Sequence, residues 1–308
     1  HAADSWEDTF SSLKKYIPAI KDKVSPDAPF GIGLRLSNLA SVQLGFDDNM
    51  QHFKKWLNRN NLYVYTINGF SYGSLHNKKV KDFVYAPDWT SLDRVAYTVR
   101  LAKQLAMLLP PNVVGSISTC PISYKHWHFE DETLLNNTFK KSADNLGKVV
   151  AELYKIEIET GKTLHLDLEP EPDGLLENSH DVINFFRGYL APAAIELFEE
   201  KLAMNAEKAE FLVYNFVNVC YDVGHFSLAY EEPEVTFKRF RQTGIKVGKI
   251  QMTSALKMVF ETKEDQQKIW DTLSLFNAEM YLHQVTELVD NKVVTYPDLR
   301  SIFLNPKA

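Results

Sequence analysis

Disulfide chemistry is the first thing the sequence excludes. The 308 residues include two cysteines, Cys120 and Cys220, too few for a cross-linked framework and suited to a reducing compartment, so a cytosolic location is expected. No apolar run approaches the roughly 20 residues that cross a bilayer. A basic surface is lacking too: 34 Lys and Arg stand against 40 Asp and Glu, a formal net charge of −6. That argues against a nucleic-acid partner, whose binding face is normally basic. Glycine-rich phosphate cradles are missing as well, because Gly31-Ile-Gly33 has no third glycine and no dinucleotide context downstream. No low-complexity run, linker or solenoid repeat divides the chain, so residues 1–308 read as a single domain. The first residue is His rather than Met, so the start is read as processed or cropped.

What is present is a regular alternation of strand and helix signals. Apolar periodicity predicts helices over residues 5–24, 47–58, 132–158, 180–197, 206–216, 233–243 and 264–275, with Thr90 capping a further one that ends at Pro110-Pro111. Between them lie six strand patterns, at 30–37, 62–69, 113–121, 164–169, 217–222 and 246–254. Residues 280–289 read as a short further strand, and Tyr296 opens a last helical piece. Strand–helix alternation of this kind predicts a parallel sheet with helical crossovers. In every strand the polar residues gather at the C-terminal end: Arg35, Asn68, Ser118, Glu169, Asp222 and Gln251. A closed (β/α)8 TIM barrel brings such ends to one centre. Six strands are two short of eight. The chain opens with a helix and closes with a helical piece, so the first and last strands are expected outside the given sequence.

The stretch His165-Leu-Asp-Leu-Glu-Pro-Glu-Pro-Asp-Gly174 concentrates the chemistry. Period-two alternation puts His165, Asp167 and Glu169 on one face and Leu164, Leu166 and Leu168 on the other. Pro170 and Pro172 end the strand. One strand later, Asp222-Val-Gly-His225 places a carboxylate at a strand end and an imidazole on the turn after it. With Glu169 and Gln251 they form an O/N set suited to a divalent metal, Zn²⁺, Mn²⁺ or Mg²⁺. Glu169 is the candidate catalytic residue, as ligand or as base. Arg35, Asn68 and Lys249 are candidate substrate contacts, with Asp167 in support and His165 as a core histidine. The loop over residues 70–88 carries Lys78, Lys79 and Lys81, which can meet an anionic group. His126-Trp-His128 lies on an aromatic loop and reads equally as a lid over substrate or as plain surface. Cys120 and Cys220 read as small buried hydrophobes.

The strand order resembles the xylose isomerase-like TIM barrels, which include sugar-phosphate isomerases and epimerases and abasic-site nucleases of the endonuclease IV type. In that pattern a strand-end Glu is followed by Asp-x-x-His, then by His or Gln, then by a last Glu. Glu169, Asp222 with His225, and Gln251 match in that order. Within these barrels the chain is most similar to the metabolite traffic protein EboE family. The motifs are Tyr65-Thr-Ile-Asn-Gly-Phe70, Tyr85-Ala-Pro-Asp-Trp89, Gly115-Ser-Ile-Ser-Thr119, His165-Leu-Asp-Leu-Glu-Pro-Glu-Pro172, Cys220-Tyr-Asp-Val-Gly-His225 and Gly248-Lys-Ile-Gln-Met-Thr-Ser-Ala-Leu256. The resemblance implies a His-x-His strand and a Glu-bearing strand after residue 308. It implies a metal-dependent isomerase or epimerase acting on a sugar-like or polyol metabolite or its phosphate. A non-catalytic metabolite carrier on the same barrel is the alternative. A nuclease ranks lower, given the negative charge and the absence of histidine at the ends of the second and third strands.

Overall fold

The computed structural model describes residues 4–73, 81–128, 131–259, 262–275, 284–296 and 298–304. The elements run α1 (Trp6–Val24), β1 (Phe30–Arg35), α2 (Asn38–Leu44), α3 (Asp47–Arg59), β2 (Leu62–Asn68), α4 (Leu92–Leu108), β3 (Gly115–Thr119), α5 (Glu132–Thr160) and β4 (Leu164–Leu168). They continue with α6 (Ser179–Phe185), α7 (Ala191–Leu202), α8 (Ala206–Phe216), β5 (Val217–Asp222), α9 (Val223–Leu228), α10 (Pro233–Gln242), β6 (Val247–Gln251), α11 (Lys263–Ser274), β7 (Val285–Val289), β8 (Lys292–Tyr296) and α12 (Leu299–Leu304). Side-chain caps set several starts: Ser5, Asp131 and Asn205 each accept an N–H from the first turn of α1, α5 and α8. Gly161, with φ +67°, closes α5 in the left-handed conformation. The cap of α4 is Ser91 rather than Thr90. Ser91 accepts from Asp93 N, whereas the Thr90 hydroxyl turns back to Asp88.

Strands β1 to β6 form one parallel sheet in chain order, each paired with the next. Because helices cross between successive strands, this is a (β/α) barrel architecture, represented here by six strands. The sheet curls strongly enough for side chains to meet across it. Lys249 on β6 donates to Ser118 on β3 at 3.0 Å, and Gln251 reaches past β5 to Glu169 at the end of β4. Every residue of β4 is buried. Leu164, Leu166 and Leu168 are fully covered on the outer face, each contributing about 1.5–3 kcal/mol by burial. The polar set faces inward.

Two irregularities aim the inner face of β6. Val219 pairs with Val247 but Cys220 pairs with Lys249, so Gly248 is an extra residue in a bulge. The bulge turns Lys249 and Gln251 toward the interior. Gly248 itself lies against the β4 pair in which His165 Nδ1 meets Asp167 Oδ1 at 2.7 Å. A Cβ at Gly248 would collide with Asp167 Oδ1 and come within 2.7 Å of the His165 ring. Gly248→Ala is therefore expected to destabilise the fold by about 2 kcal/mol, the scale of an overpacked interior. An unchanged denaturant midpoint for this variant would show that the β4 pair can move aside.

The chain after β6 departs from the expected barrel. The strand predicted at 280–289 is β7, whose residues before 284 lie outside the described ones. It pairs antiparallel with β8 as a separate hairpin, so Tyr296 ends a strand, and the expected last helical piece follows as α12 from Leu299. Asp290 and Asn291 both take positive φ, 49° and 61°, the condition for a tight two-residue hairpin turn. The hairpin leans on the rim of the sheet: Thr286 donates to Leu228 O at 2.7 Å, and Gln284 donates to Pro172 O.

Candidate active site

The site is assembled from the C-terminal ends of β4, β5 and β6. Glu169 follows β4, held by its own N–H to Thr119 O at 3.0 Å. Asp222 ends β5 and caps α9. Its Oδ1 accepts from Gly224 N at 2.9 Å and His225 N at 3.1 Å. That cap winds the turn which returns His225 to the strand end, so Asp-x-x-His is a local folding unit as well as a donor pair. Gln251 ends β6. Its amide nitrogen bridges the two carboxylates, 2.6 Å from Glu169 Oε1 and 3.1 Å from Asp222 Oδ2.

Glu169, Asp222 and His225 each offer a ligand atom, and these atoms all lie within 4.8 Å of one another. His225 Nδ1 is 3.9 Å from Glu169 Oε1. Glu169 and Asp222 are buried, and Glu169 Oε2 and His225 Nδ1 have no hydrogen-bond partner within the described chain. Ligands about 2.0–2.2 Å from a central ion stand about 3–3.5 Å apart in tetrahedral or octahedral arrangements. The three side chains, whose ligand atoms lie within 4.8 Å of one another, thus fit a divalent cation with a contraction of at most about 1.8 Å. Gln251 would join through its carbonyl oxygen, and in the orientation seen its nitrogen faces the carboxylates.

Burial dominates the electrostatics. It pushes Glu169 up to about 7, with the neighbouring Asp222 charge adding to the rise, while Lys249 and the Gln251 and Cys220 hydrogen bonds oppose it. His225 is pulled below its ordinary value, again chiefly by burial. Asp167 is raised by burial against the pull of its partner His165. Clustered buried groups displaced in this way are what proton-transfer sites require.

The structure thus brings Glu169, Asp222, His225 and Gln251 together, with Lys249 and Asp167 one layer deeper. The other sequence candidates lie apart. Arg35 and Asn68 pair in register at the ends of β1 and β2; Arg35 donates to Gly73 O, and Asn68 accepts from Phe70 N. Asp167 takes His165 as its partner. His126 and His128 do not act as a pair. His126 Nε2 meets Asp173 Oδ1 at 2.8 Å, whereas His128 turns to Ser123 and lines a cleft of about 330 Å³ with Leu135, Phe139 and Glu177. Lys78 and Lys79 lie outside the described residues, as does the Lys81 side chain.

Sequence reasoning missed three residues. Glu171 sits two places past Glu169 with Oε2 3.6 Å from His225 Nε2. Burial lifts it to about 8, against the pull of the Tyr85 hydroxyl that donates to its Oε1. Tyr85 is fully buried and Asp173 nearly so. The spacing Glu-Pro-Glu-Pro-Asp was the available signal, since proline on alternate positions holds the chain extended and aims alternate side chains the same way.

No family model matches the chain, and no curated protein matches it. Among solved structures it is similar, at 10% identity and a TM-score of 0.45, to a xylose isomerase-like TIM barrel protein from Mycobacterium smegmatis in complex with magnesium, over 74% of this chain and 63% of that one. It is similar at 13% identity and a TM-score of 0.44 to the IolI protein with a bound zinc atom, over 81% of this chain and 72% of that one. It is similar at 14% identity and a TM-score of 0.36 to 3-keto-D-glucoside 4-epimerase, YcjR, from E. coli, over 79% of this chain and 88% of that one. The chain therefore spans less than two thirds of the first of these. The expected place in the EboE family gains no support from these comparisons and rests on the quoted motifs alone.

Proposed function

We propose that the protein is a divalent-metal-dependent isomerase or epimerase acting on a sugar-like or polyol metabolite. The observation that carries this is the convergence of Glu169, Asp222 and His225 within 4.8 Å at the C-terminal end of the sheet. These three hold the ion, with Gln251 the fourth candidate. Once bound, it supplies Lewis-acid polarisation of a carbonyl or adjacent hydroxyl. The residues around it do the rest. Glu169 is also the candidate general base, through its Oε2, which has no partner in the described chain. Lys249 places its ammonium group beside Glu169 and Asp167, where it favours negative charge developing on substrate oxygen. Moving a proton between neighbouring carbons leaves the overall redox balance unchanged, so no nicotinamide or flavin is called for. The motif resemblance to EboE supports a setting in the traffic of a metabolite precursor in the cytosol.

The test is exchange of carbon-bound hydrogen. Metal-loaded protein is incubated with D-ketohexoses in D₂O and followed by NMR. Deuterium enters next to the carbonyl with wild-type protein and about a hundredfold more slowly with Glu169→Gln, the scale of a lost acid–base group. Metal bound at one equivalent with no exchange in any ketohexose would instead support the non-catalytic carrier.

A further inference from the structure

We infer that Glu171 is a positioning residue for His225: held by the Tyr85 hydroxyl at one oxygen, it accepts from His225 Nε2 with the other and keeps His225 Nδ1 bare on the side of Glu169. This rests on the metal-dependent reading of the site and adds the residue that decides which imidazole nitrogen is offered to the ion.

The first argument comes from the ring. A neutral imidazole carries one N–H, and its other nitrogen only accepts. His225 Nδ1 is buried without a hydrogen-bond partner in the described chain and stands 3.9 Å from Glu169 Oε1. A proton on that nitrogen would be a buried donor left unpaired, which folded proteins avoid. Nε2 instead faces acceptors. Glu171 Oε2 lies 3.6 Å away, a few tenths of an ångström outside a hydrogen bond, and the Pro170 carbonyl also bonds the ring. Both acceptors follow directly on Glu169, so one stretch of chain brings a candidate ligand and the groups that orient its neighbour.

The second argument is how firmly Glu171 is held. Tyr85 is fully buried, its ring 5.6 Å from that of Phe70 and 5.1 Å from that of Tyr124, and its hydroxyl donates to Glu171 Oε1. Arg94 donates to Pro87 O at 2.7 Å, Gly69 O at 2.9 Å and Phe70 O at 2.8 Å, which ties the segment carrying Tyr85 to the end of β2. On its own loop, Glu171 N donates to Leu176 O and Gly174 N to Glu171 O, both at 3.2 Å. Backbone and one carboxyl oxygen are thus fixed, and the direction of Oε2 follows. A carboxylate that accepts from the outer nitrogen of a metal-binding imidazole sets both its tautomer and its orientation.

The third argument separates this role from ligation. The ligand atoms that converge within 4.8 Å belong to Glu169, Asp222 and His225, and Glu171 is not among them. Glu169 approaches the ring at Nδ1 and Glu171 at Nε2, so the two carboxyl groups bracket the imidazole, one at each nitrogen.

The experiment reads the position of the ring proton on the full chain. Long-range proton–nitrogen correlation NMR tells a protonated ring nitrogen from a bare one. It is run at about pH 9, where imidazole is neutral and Glu171 ionised, and the His225 signals are assigned by their loss in His225→Gln. Metal-free wild-type protein is expected to carry the proton on Nε2. Glu171→Ala and Glu171→Met, the second filling the same space without an oxygen should alanine fold poorly, should let the proton move to Nδ1 in a large fraction of molecules. Competition with a chelator should then show Zn²⁺ held about 10–100-fold more weakly by both. Glu171→Gln keeps an acceptor oxygen and should restore the Nε2 proton and most of the affinity. Three results overturn the inference: a wild-type proton on Nδ1, an Nε2 proton that Ala and Met leave in place because the Pro170 carbonyl suffices, or a Gln variant as weak as Ala because Glu171 itself ligates the ion. Zn²⁺ uptake and hydrogen exchange in a protein whose ring proton ignores Glu171 would remove this inference and leave the proposed function standing. A ring proton set by Glu171 in a protein that takes up no metal would overturn the proposed function alone.

Discussion

Asp222→Asn is expected to lower divalent-metal affinity by at least about a hundredfold, and Asp222→Ala to cost about 3 kcal/mol of stability besides. The two effects separate the roles of one carboxylate. Oδ1 caps α9 through Gly224 N and His225 N and also accepts from the Thr253 hydroxyl. Oδ2 accepts from Gln251 Nε2 at 3.1 Å. Asparagine keeps an oxygen for the cap but removes the charge and sets a second NH₂ group against Gln251. Losing even an outer partner of a metal site costs about 10–100-fold in affinity, and Asp222 is assigned to the ion directly. Alanine removes the cap, worth about 1 kcal/mol, and strands buried donors at about 1–3 kcal/mol each; neighbouring losses of this kind are not strictly additive. Competition against a chromophoric chelator measures the first effect and urea denaturation of metal-free protein the second. An Asn variant with wild-type affinity would mean that Asp222 only builds the turn.

The sheet was legible because each β strand carries its apolar face at period two and each crossover helix its own stripe. Capping residues such as Asn205 sharpen the boundaries. The cluster of Glu169, Asp222, His225 and Gln251 was legible for a related reason. Glu169, Asp222 and Gln251 are strand-end residues on consecutive strands, and parallel register places such ends side by side. His225 required only the turn that Asp222 itself caps. What escaped reading depends on partners distant in sequence. Glu171 looks like a loop carboxylate until Tyr85, on the loop after β2, is seen donating to it. Arg94 reads as the polar face of α4, yet it is fully buried and ties down the loop after β2. Tyr296-Pro-Asp does lead into α12, but β8 escaped reading, because the cross-strand pairing of Val285 with Tyr296 is decided by the Asp290-Asn291 turn. His126 and His128 shared a motif in the sequence but face different partners, because the single turn over Lys125–His128 points neighbouring residues apart.

Metal-free protein should lose stability as pH rises from about 5 to about 8, opposite to the usual behaviour of surface carboxylates. Glu169 moves from 4.5 up to about 7 on folding and Glu171 from 4.5 to about 8. In both cases the folded state binds the proton more tightly, so between those limits it holds more protons than the unfolded chain. Linkage then makes stability fall with rising pH. The contribution is fully present below about 4.5 and is lost as pH passes the folded values. At about 1.4 kcal/mol per pH unit for one group, Glu169 accounts for about 3 kcal/mol at most and Glu171 for about 5 kcal/mol at most. The two face each other, so their contributions are not summed. His225, lowered by burial, acts in the opposite sense below its ordinary value of 6.5 and flattens the acid side of the window. Two controls assign the slope. Glu171→Gln carries no charge to bury, so it should match wild-type stability near pH 5 and exceed it near pH 8. Saturating Zn²⁺ should remove the part of the slope due to Glu169, since a carboxylate bound to the ion no longer takes up a proton in this range, and leave the part due to Glu171. Chemical denaturation at closely spaced pH values reads all three curves, and a metal-free midpoint that is flat or rising between pH 5 and 8 would contradict the burial of both carboxyl groups.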